Sequence, residues 1–287
     1  MKGNKLYKLF VYLVLIALAV SIIIPIAWVF LASIKENAEF YGNPWSLPKG
    51  VYVQNFIEAF EKANMGLYML NSVKVTLLAL VMLIIVALPA SYVLARFTFP
   101  GRGLLNTLFM TGLFINSNYI VVPIFLMLLD GDKLARRLTG TGVLIDNLFV
   151  LSLVYAATAL PFTIYLLSNY FRTLSKTYEE AAYMDGSGFF KTLVFVMAPL
   201  AKPSIITVIL FNFLSFWNEY IIALTLLPGE NKTLPVGLIN LMAGQKAAAN
   251  YGQLYAGLVI VMLPTLLLYI LVQKQLTQGM TVGGSKE

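Results

Sequence analysis

LNSVKVTLLALVMLIIVALPASYVLA, residues 70–95, decides the fold: it is an apolar run broken by one charge, Lys74. About 20 mostly apolar residues suffice to cross the hydrocarbon core of a bilayer as a helix, so the run predicts a membrane span. Lys74 lies near its start, where a long aliphatic stem can carry the ammonium to the interface. Outward from this stretch, comparable runs occupy 9–34, 104–129, 147–170, 203–227 and 255–273. With 70–95 they predict an all-α integral membrane protein of six transmembrane helices, one domain over residues 1–287.

Composition agrees. Of 287 residues 59% are hydrophobic and 11% charged, against about 45–50% and about 25% in soluble domains. The connections are shorter than the roughly 50–200 residues of a separate catalytic domain, so soluble enzyme chemistry belongs to a partner. Cys and His are both absent, which removes thiolate and imidazole metal ligands, Ser-His and Cys-His nucleophile pairs and disulfides. No catalytic residue, metal site or cofactor is expected on this chain. The net charge of +7 is scattered through loops rather than gathered on one face, which speaks against nucleic acid.

Lys2, Lys5 and Lys8 precede the first run. Signal-peptide cores span about 7–15 residues, whereas this run is longer and its one A-x-A match, Ala17-Leu18-Ala19, lies inside it. An uncleaved helix with a cytoplasmic N-terminus is expected. That orientation puts both termini inside and places eleven of the twenty Lys+Arg there, with eight outside and Lys74 in the membrane, a moderate positive-inside bias. Arg136 and Arg137 run against it, with Asp130 and Asp132 close by in sequence.

The connection 173–203 is organised. Ser175 or Thr177 can cap a short helix, Glu179 and Glu180 complement its first-turn dipole, and Gly186 or Gly188 can end it. About two turns are predicted, with Ala181 and Ala182 small enough to admit another surface and Gly186 permitting a sharp return. Pro199 and Pro203 follow. The stretch Gly186-Ser-Gly-Phe-Phe-Lys191-Thr192 approaches a P-loop but has Phe190 where that pattern requires glycine, and no buried strand precedes it.

Glu180-Ala181-Ala182-x-x-Asp185-Gly186, followed by Pro199-Leu and Pro203, resembles the EAA loop of binding-protein-dependent ABC importer permeases. The likeness extends over roughly residues 50–285 and is greatest to the sugar branch, in particular the smaller permease of maltose-type importers. It rests on Asn55-Phe56, Asn71-Ser72, Ala90-Ser-Tyr92-x-x-Ala95-Arg96-Phe97, Gly101-Arg102, Trp217-Asn218-Glu219-Tyr220 and Thr233-Leu-Pro-Val-Gly237-Leu. The resemblance implies a cytoplasmic coupling helix between the fourth and fifth spans that docks on a separate ATPase through Glu179, Glu180, Ala181, Ala182, Asp185, Gly186 and Pro199. ATP and Mg would sit on that partner. It also implies a second homologous permease, with a heterodimer favoured over a homodimer, an ABC ATPase dimer, an extracellular or periplasmic solute-binding protein, and a bacterial or archaeal cytoplasmic membrane as the location.

An ionisable residue inside a span is costly unless it faces a cavity or partner, which singles out Glu219. Sugar recognition uses aromatic faces with amide and carboxylate hydrogen bonds, and Asn212, Phe216, Trp217, Asn218, Glu219 and Tyr220 supply those types. In the third run Asn116 and Asn118, with Tyr119 and Pro123, interrupt an apolar helix and are expected to face the pathway or another helix. Residues 228–254, including Ala247, Ala248, Ala249 and Tyr251, form a loop that the resemblance directs toward the binding protein. The tail with Gln275, Gly279, Gly283 and Gly284 is directed toward the ATPase, although Gly284-Ser285-Lys286 departs from the usual Ala-Val-Lys. The favoured function is ATP-driven uptake of a sugar or oligosaccharide by alternating access. The alternatives are an ABC permease for another solute and an ion-coupled secondary transporter, which commonly carries intramembrane carboxylates and repeats.

Overall fold

A computed structural model describes residues 5–244 and 250–281. The expectations for Ala247, Ala248, Ala249, Gly283, Gly284, Ser285 and Lys286 fall outside the described residues, and those for the side chains beyond residue 273 likewise. The chain forms helices α1 (Lys5–Ser33), α2 (Asn37–Gly42), α3 (Gln54–Glu61), α4 (Met65–Arg96), α5 (Arg102–Gly112), α6 (Ser117–Thr139) and α7 (Leu148–Thr173). After these come α8 (Thr177–Met184), α9 (Phe189–Thr192), a π-helical turn Leu193–Met197, α10 (Ala198–Leu200), α11 (Lys202–Asn218), α12 (Ile221–Leu226), α13 (Leu234–Gly244) and α14 (Tyr251–Thr281). Among the described residues, regular structure is helical throughout, as a chain in hydrocarbon requires when every backbone donor and acceptor must be satisfied locally.

Four helices are long and apolar enough to cross a membrane, and up to six spans result if each of two bent pairs counts as one. The apolar run 104–129 is not one helix: α5 and α6 meet at 105°, and α6 starts at Asn116, whose side chain accepts from the Asn118 N–H at 2.9 Å. The run 203–227 is divided as well, because α11 ends at Asn218 and α12 begins at Ile221. Upstream of α11, the segment Phe189–Leu200 meets it at 78°, with Pro199 and Pro203 each in the first turn of a helix, where proline removes no intrahelical bond.

The chain divides into two compact units. In the first, residues 1–67 and 237–264, Lys35 is fully buried. Its ammonium donates to the Pro44 and Ser46 carbonyls at 3.0 and 2.9 Å and lies 5.3 and 5.1 Å from the rings of Trp28 and Phe40, so the loop after α1 folds around one cation. Buried Asn55 donates from its amide to the carbonyls of Ser33 and Lys35 at 2.9 and 2.8 Å, which gives Asn55-Phe56 a structural meaning. The start of α14 is fastened by Tyr251 N–H to Asn37 Oδ1 at 3.0 Å, Asn250 to Glu58 at 3.2 Å and stacking of Phe40 on Tyr255 at 5.6 Å. The hydrogen bond from Lys62 holds the Glu58 carboxyl below its ordinary pKa.

The second unit, residues 68–236 and 265–287, is built on buried Leu83, Tyr92, Leu151, Tyr155, Leu167, Phe171 and Met197. Within lipid such contacts act through packing and hydrogen bonds rather than through exclusion of water. At Gly112 a Cβ would stand 2.9 Å from the Pro161 ring, so glycine permits α5 to approach α7. Two separate sequence motifs prove to be joined: the Asn71 amide donates to the Lys232 carbonyl at 3.1 Å and the Leu234 N–H donates to Ser72 Oγ at 2.8 Å. At the other end of α4, Arg102 donates to the Leu94 and Ala95 carbonyls at 3.1 and 3.4 Å across Gly101, whose φ of +86° favours glycine, and satisfies acceptors that a helix end leaves open. Lys74 is exposed and stands about 33 Å along α4 from Arg96 at 1.5 Å per residue, about one hydrocarbon thickness. Arg136 pairs with Asp132 at 2.9 Å, and Lys133 with Asp130 at 2.8 Å.

Replacing Asn55 by alanine would leave two buried carbonyls without their donor. The expected loss is about 1–3 kcal/mol, read as a lower thermal unfolding temperature of the detergent-purified protein.

Candidate functional site

The connection between α7 and α11 carries the first candidate site. The N-cap of α8 is Lys176, which makes no side-chain cap bond, so neither Ser175 nor Thr177 holds the expected cap position; Ser175, one residue earlier, accepts through its Oγ from the Thr177 N–H at 3.3 Å. It ends in a Schellman turn: Gly186 N–H donates to Tyr183 O at 3.0 Å, Ser187 N–H donates to Ala182 O at 2.9 Å, and Gly186 has φ +76°. Gly186 therefore ends the helix, while Gly188 is extended at φ −81°. Along α8, Glu179 and Ala182 are buried one turn apart, whereas Glu180, Ala181 and the capping Asp185 are exposed. Tyr178, Tyr183 and Met184 are 48%, 44% and 88% exposed. Pro199 is exposed farther along, beside the 78° bend.

Glu179 points inward at Arg96, the last residue of α4. Their Nε and Oε1 atoms are 3.1 Å apart, with side chains only 6% and 12% exposed. A second guanidinium nitrogen of Arg96 donates to the Leu174 carbonyl at 2.6 Å. Beneath this pair the fully buried ring of Tyr92 packs against Phe97, Phe171 and Phe189 at 5.5–5.6 Å between centroids, and its hydroxyl faces Glu179 and Tyr183. Neighbouring glutamates thus face in different directions, one into the fold and one out of it.

The second candidate is a cavity of about 430 Å³ between α6, α7, α11 and α12, a volume within the range of small-molecule sites. Four of the sequence-predicted residues, Asn118, Asn212, Phe216 and Glu219, line it. Tyr155, Thr158, Phe162, Phe211 and Ser215 line it as well and were not singled out from sequence, although 155, 158 and 162 have the i, i+3, i+7 spacing of one helical face. Glu219 occupies the break between α11 and α12. Its carboxylate accepts from Tyr155 Oη at 2.6 Å and from the N–H groups of Ile222 and Ala223 at 2.7 and 3.1 Å. The Asn212 amide donates to Thr163 Oγ1 at 3.0 Å, tying α11 to α7.

The other predicted pathway residues do not line the cavity. Asn116 caps α6, Trp217 is buried and stacks on Phe213 at 5.6 Å, Asn218 is exposed and donates to the Leu214 carbonyl at 2.7 Å, and Tyr220 is 44% exposed. Glu219 therefore serves first as the bracket of a broken helix. Glu219→Ala, which strips three acceptor contacts, is expected to destabilise the purified protein by about 1–3 kcal/mol. Glu219→Gln, which keeps one of the two acceptor oxygens, is expected to cost less; thermal unfolding of the two variants compares them directly.

Residues 87–282 match the family described as binding-protein-dependent transport system inner membrane component. The diacetylchitobiose uptake system permease protein NgcG of Streptomyces coelicolor is 34% identical over 270 residues, covering 94% of this chain and 86% of the relative. The trehalose transport system permease protein SugB of Mycobacterium tuberculosis is 28% identical over 265 residues, 92% of each chain. In fold, the chain is similar to a subunit from the crystal structure of a bacterial ABC transporter involved in the import of the acidic polysaccharide alginate, with a TM-score of 0.79, 24% identity and coverage of 96% and 98% of the two chains. The chain belongs to the family of inner membrane components of binding-protein-dependent transport systems.

Proposed function

We propose that this protein is a permease subunit of an ATP-driven importer and that it passes a sugar or oligosaccharide across the cytoplasmic membrane by alternating access. The observation that carries the coupling half of this reading is the outward face of α8, where Glu180 and Asp185 stand exposed among Tyr178, Tyr183 and Met184. A helix with one face buried by its own fold and an exposed face of mixed acidic and aromatic character suits a basic, partly apolar groove on another protein. In this reading α8 is the coupling helix, both chain termini are cytoplasmic, and an ABC ATPase dimer supplies ATP and Mg, with no cofactor held by the permease itself.

The substrate half rests on two supports. Relatives that include a diacetylchitobiose and a trehalose permease cover more than nine-tenths of the chain. The cavity also combines amide and hydroxyl groups of Asn118, Thr158 and Ser215 with the aromatic faces of Phe162 and Phe211, the pairing that polyhydroxylated rings require. One chain offers one docking helix, so a second homologous permease completes the pathway, a heterodimer being favoured, and a solute-binding protein delivers the sugar from outside. ATP binding would close the ATPase dimer, move α8 and open the permease pair outward; hydrolysis would reset it.

Glu180→Lys is expected to reduce co-purification of the ATPase with the tagged permease at least tenfold, about 1.4 kcal/mol, while the variant still inserts in the membrane. Undiminished co-purification would show that α8 is not the docking surface.

A further inference from the structure

We infer that Arg96 and Glu179 form a force-bearing joint: Glu180 docks the ATPase, whereas Glu179 passes the displacement of α8 to the long helix α4 through Arg96. The inference rests on the proposed coupling role of α8. Three observations lead to it. The pair is almost withdrawn from solvent, at 6% and 12% side-chain exposure, so water does not screen it as it screens a surface pair. Arg96 is also fastened to the Leu174 carbonyl at 2.6 Å, at the residue that ends α7, so one guanidinium gathers α4, the end of α7 and α8. Finally, the rings of Tyr92, Phe97, Phe171 and Phe189 pack beneath it and connect α4 and α7 with α9, the helix that follows α8.

A rigid element that moves on a neighbour needs a contact that resists both compression and extension. Packing resists compression strongly but separation only at close range, because dispersion falls off steeply with distance, whereas opposite charges attract over a longer range and go on resisting separation. The Arg96–Glu179 pair supplies that second resistance, and its Nε–Oε1 separation of 3.1 Å is held by attraction between the charges more than by an aligned hydrogen bond. Arg96 is thus a positioning residue that acts through Glu179.

The chain has no cysteine, so a single Ser117→Cys in the cavity wall gives it one thiol, whose labelling is read on the separated permease chain. The test uses the complete transporter in sealed vesicles and measures labelling of that thiol by a membrane-impermeant maleimide with and without ATP plus vanadate, alongside co-purification of the ATPase. In the otherwise unaltered protein, ATP is expected to change the labelling rate at least fivefold. Arg96→Gln and Glu179→Gln should each keep the ATPase bound yet bring that change below twofold, and the exchange Arg96→Glu with Glu179→Arg should restore part of it. Unchanged ATP dependence in both single variants overturns the inference, and so does loss of the ATPase in both, which would mean that the pair only builds the docking helix. If one single variant fails to accumulate in the membrane, the other decides. An unaltered protein in which ATP leaves labelling unchanged would instead count against the transport reading on which the joint rests.

Discussion

A helix that breaks inside hydrocarbon releases backbone donors and acceptors that lipid cannot satisfy, and this constraint organises the second unit. Several breaks and helix ends, in the apolar runs and in the connection after α7, have a named remedy. Asn116 caps the start of α6 after the 105° bend, Asn147 accepts from the Phe149 and Val150 N–H groups at the start of α7, and Glu219 accepts from Ile222 and Ala223 where α12 begins. Gly186 takes the positive φ that lets the end of α8 close on its own carbonyls. Two of these repairs, at Asn116 and Glu219, stand beside the cavity, whose lining includes Ser117, Asn118 and Glu219.

The charged groups divide in the same manner. A buried ion pair adds little net stability relative to an apolar pair of similar shape, but removing one partner strands the other charge at a cost of about 3–5 kcal/mol. Arg96–Glu179 is thus better understood as a specific connection between helices than as a source of stability. Tyr155–Glu219 works similarly one layer away, tying α7 to the α11–α12 break through a 2.6 Å hydrogen bond. Of the helices these two ties join, α4, which carries Arg96, and α7, which carries Tyr155, share the core around Leu151, Tyr155, Leu167 and Phe171.

Much of this was legible in residue order alone. Run length identifies the long helices because hydrocarbon thickness sets a minimum span, and Ser175, one residue before the cap, the two glutamates and Gly186 mark both ends of α8 by local chemistry. Asn116 and Asn118 announce trouble in the third run, and the structure answers with a bend instead of a continuous span. What residue order does not carry is direction. Trp217 and Asn218 close α11 about 100° apart, while Glu219 and Tyr220 lie in the break before α12, so adjacency in sequence does not set direction, and of the four only Glu219 lines the cavity. Glu179 and Glu180 separate for the same reason. The partners Arg96 and Tyr155 come from other helices, and Lys35, counted among the outer loop charges, is buried by a carbonyl cage that no local pattern announces.

Energy coupling is the centre of the functional reading. It is tested most directly by uptake of radiolabelled diacetylchitobiose and trehalose into sealed vesicles that hold the complete transporter and its binding protein, with ATP inside or with an imposed ion gradient alone. An ATP-driven importer predicts accumulation of a saccharide only when internal ATP is present, abolished by vanadate. Accumulation that persists on the ion gradient without ATP would contradict it.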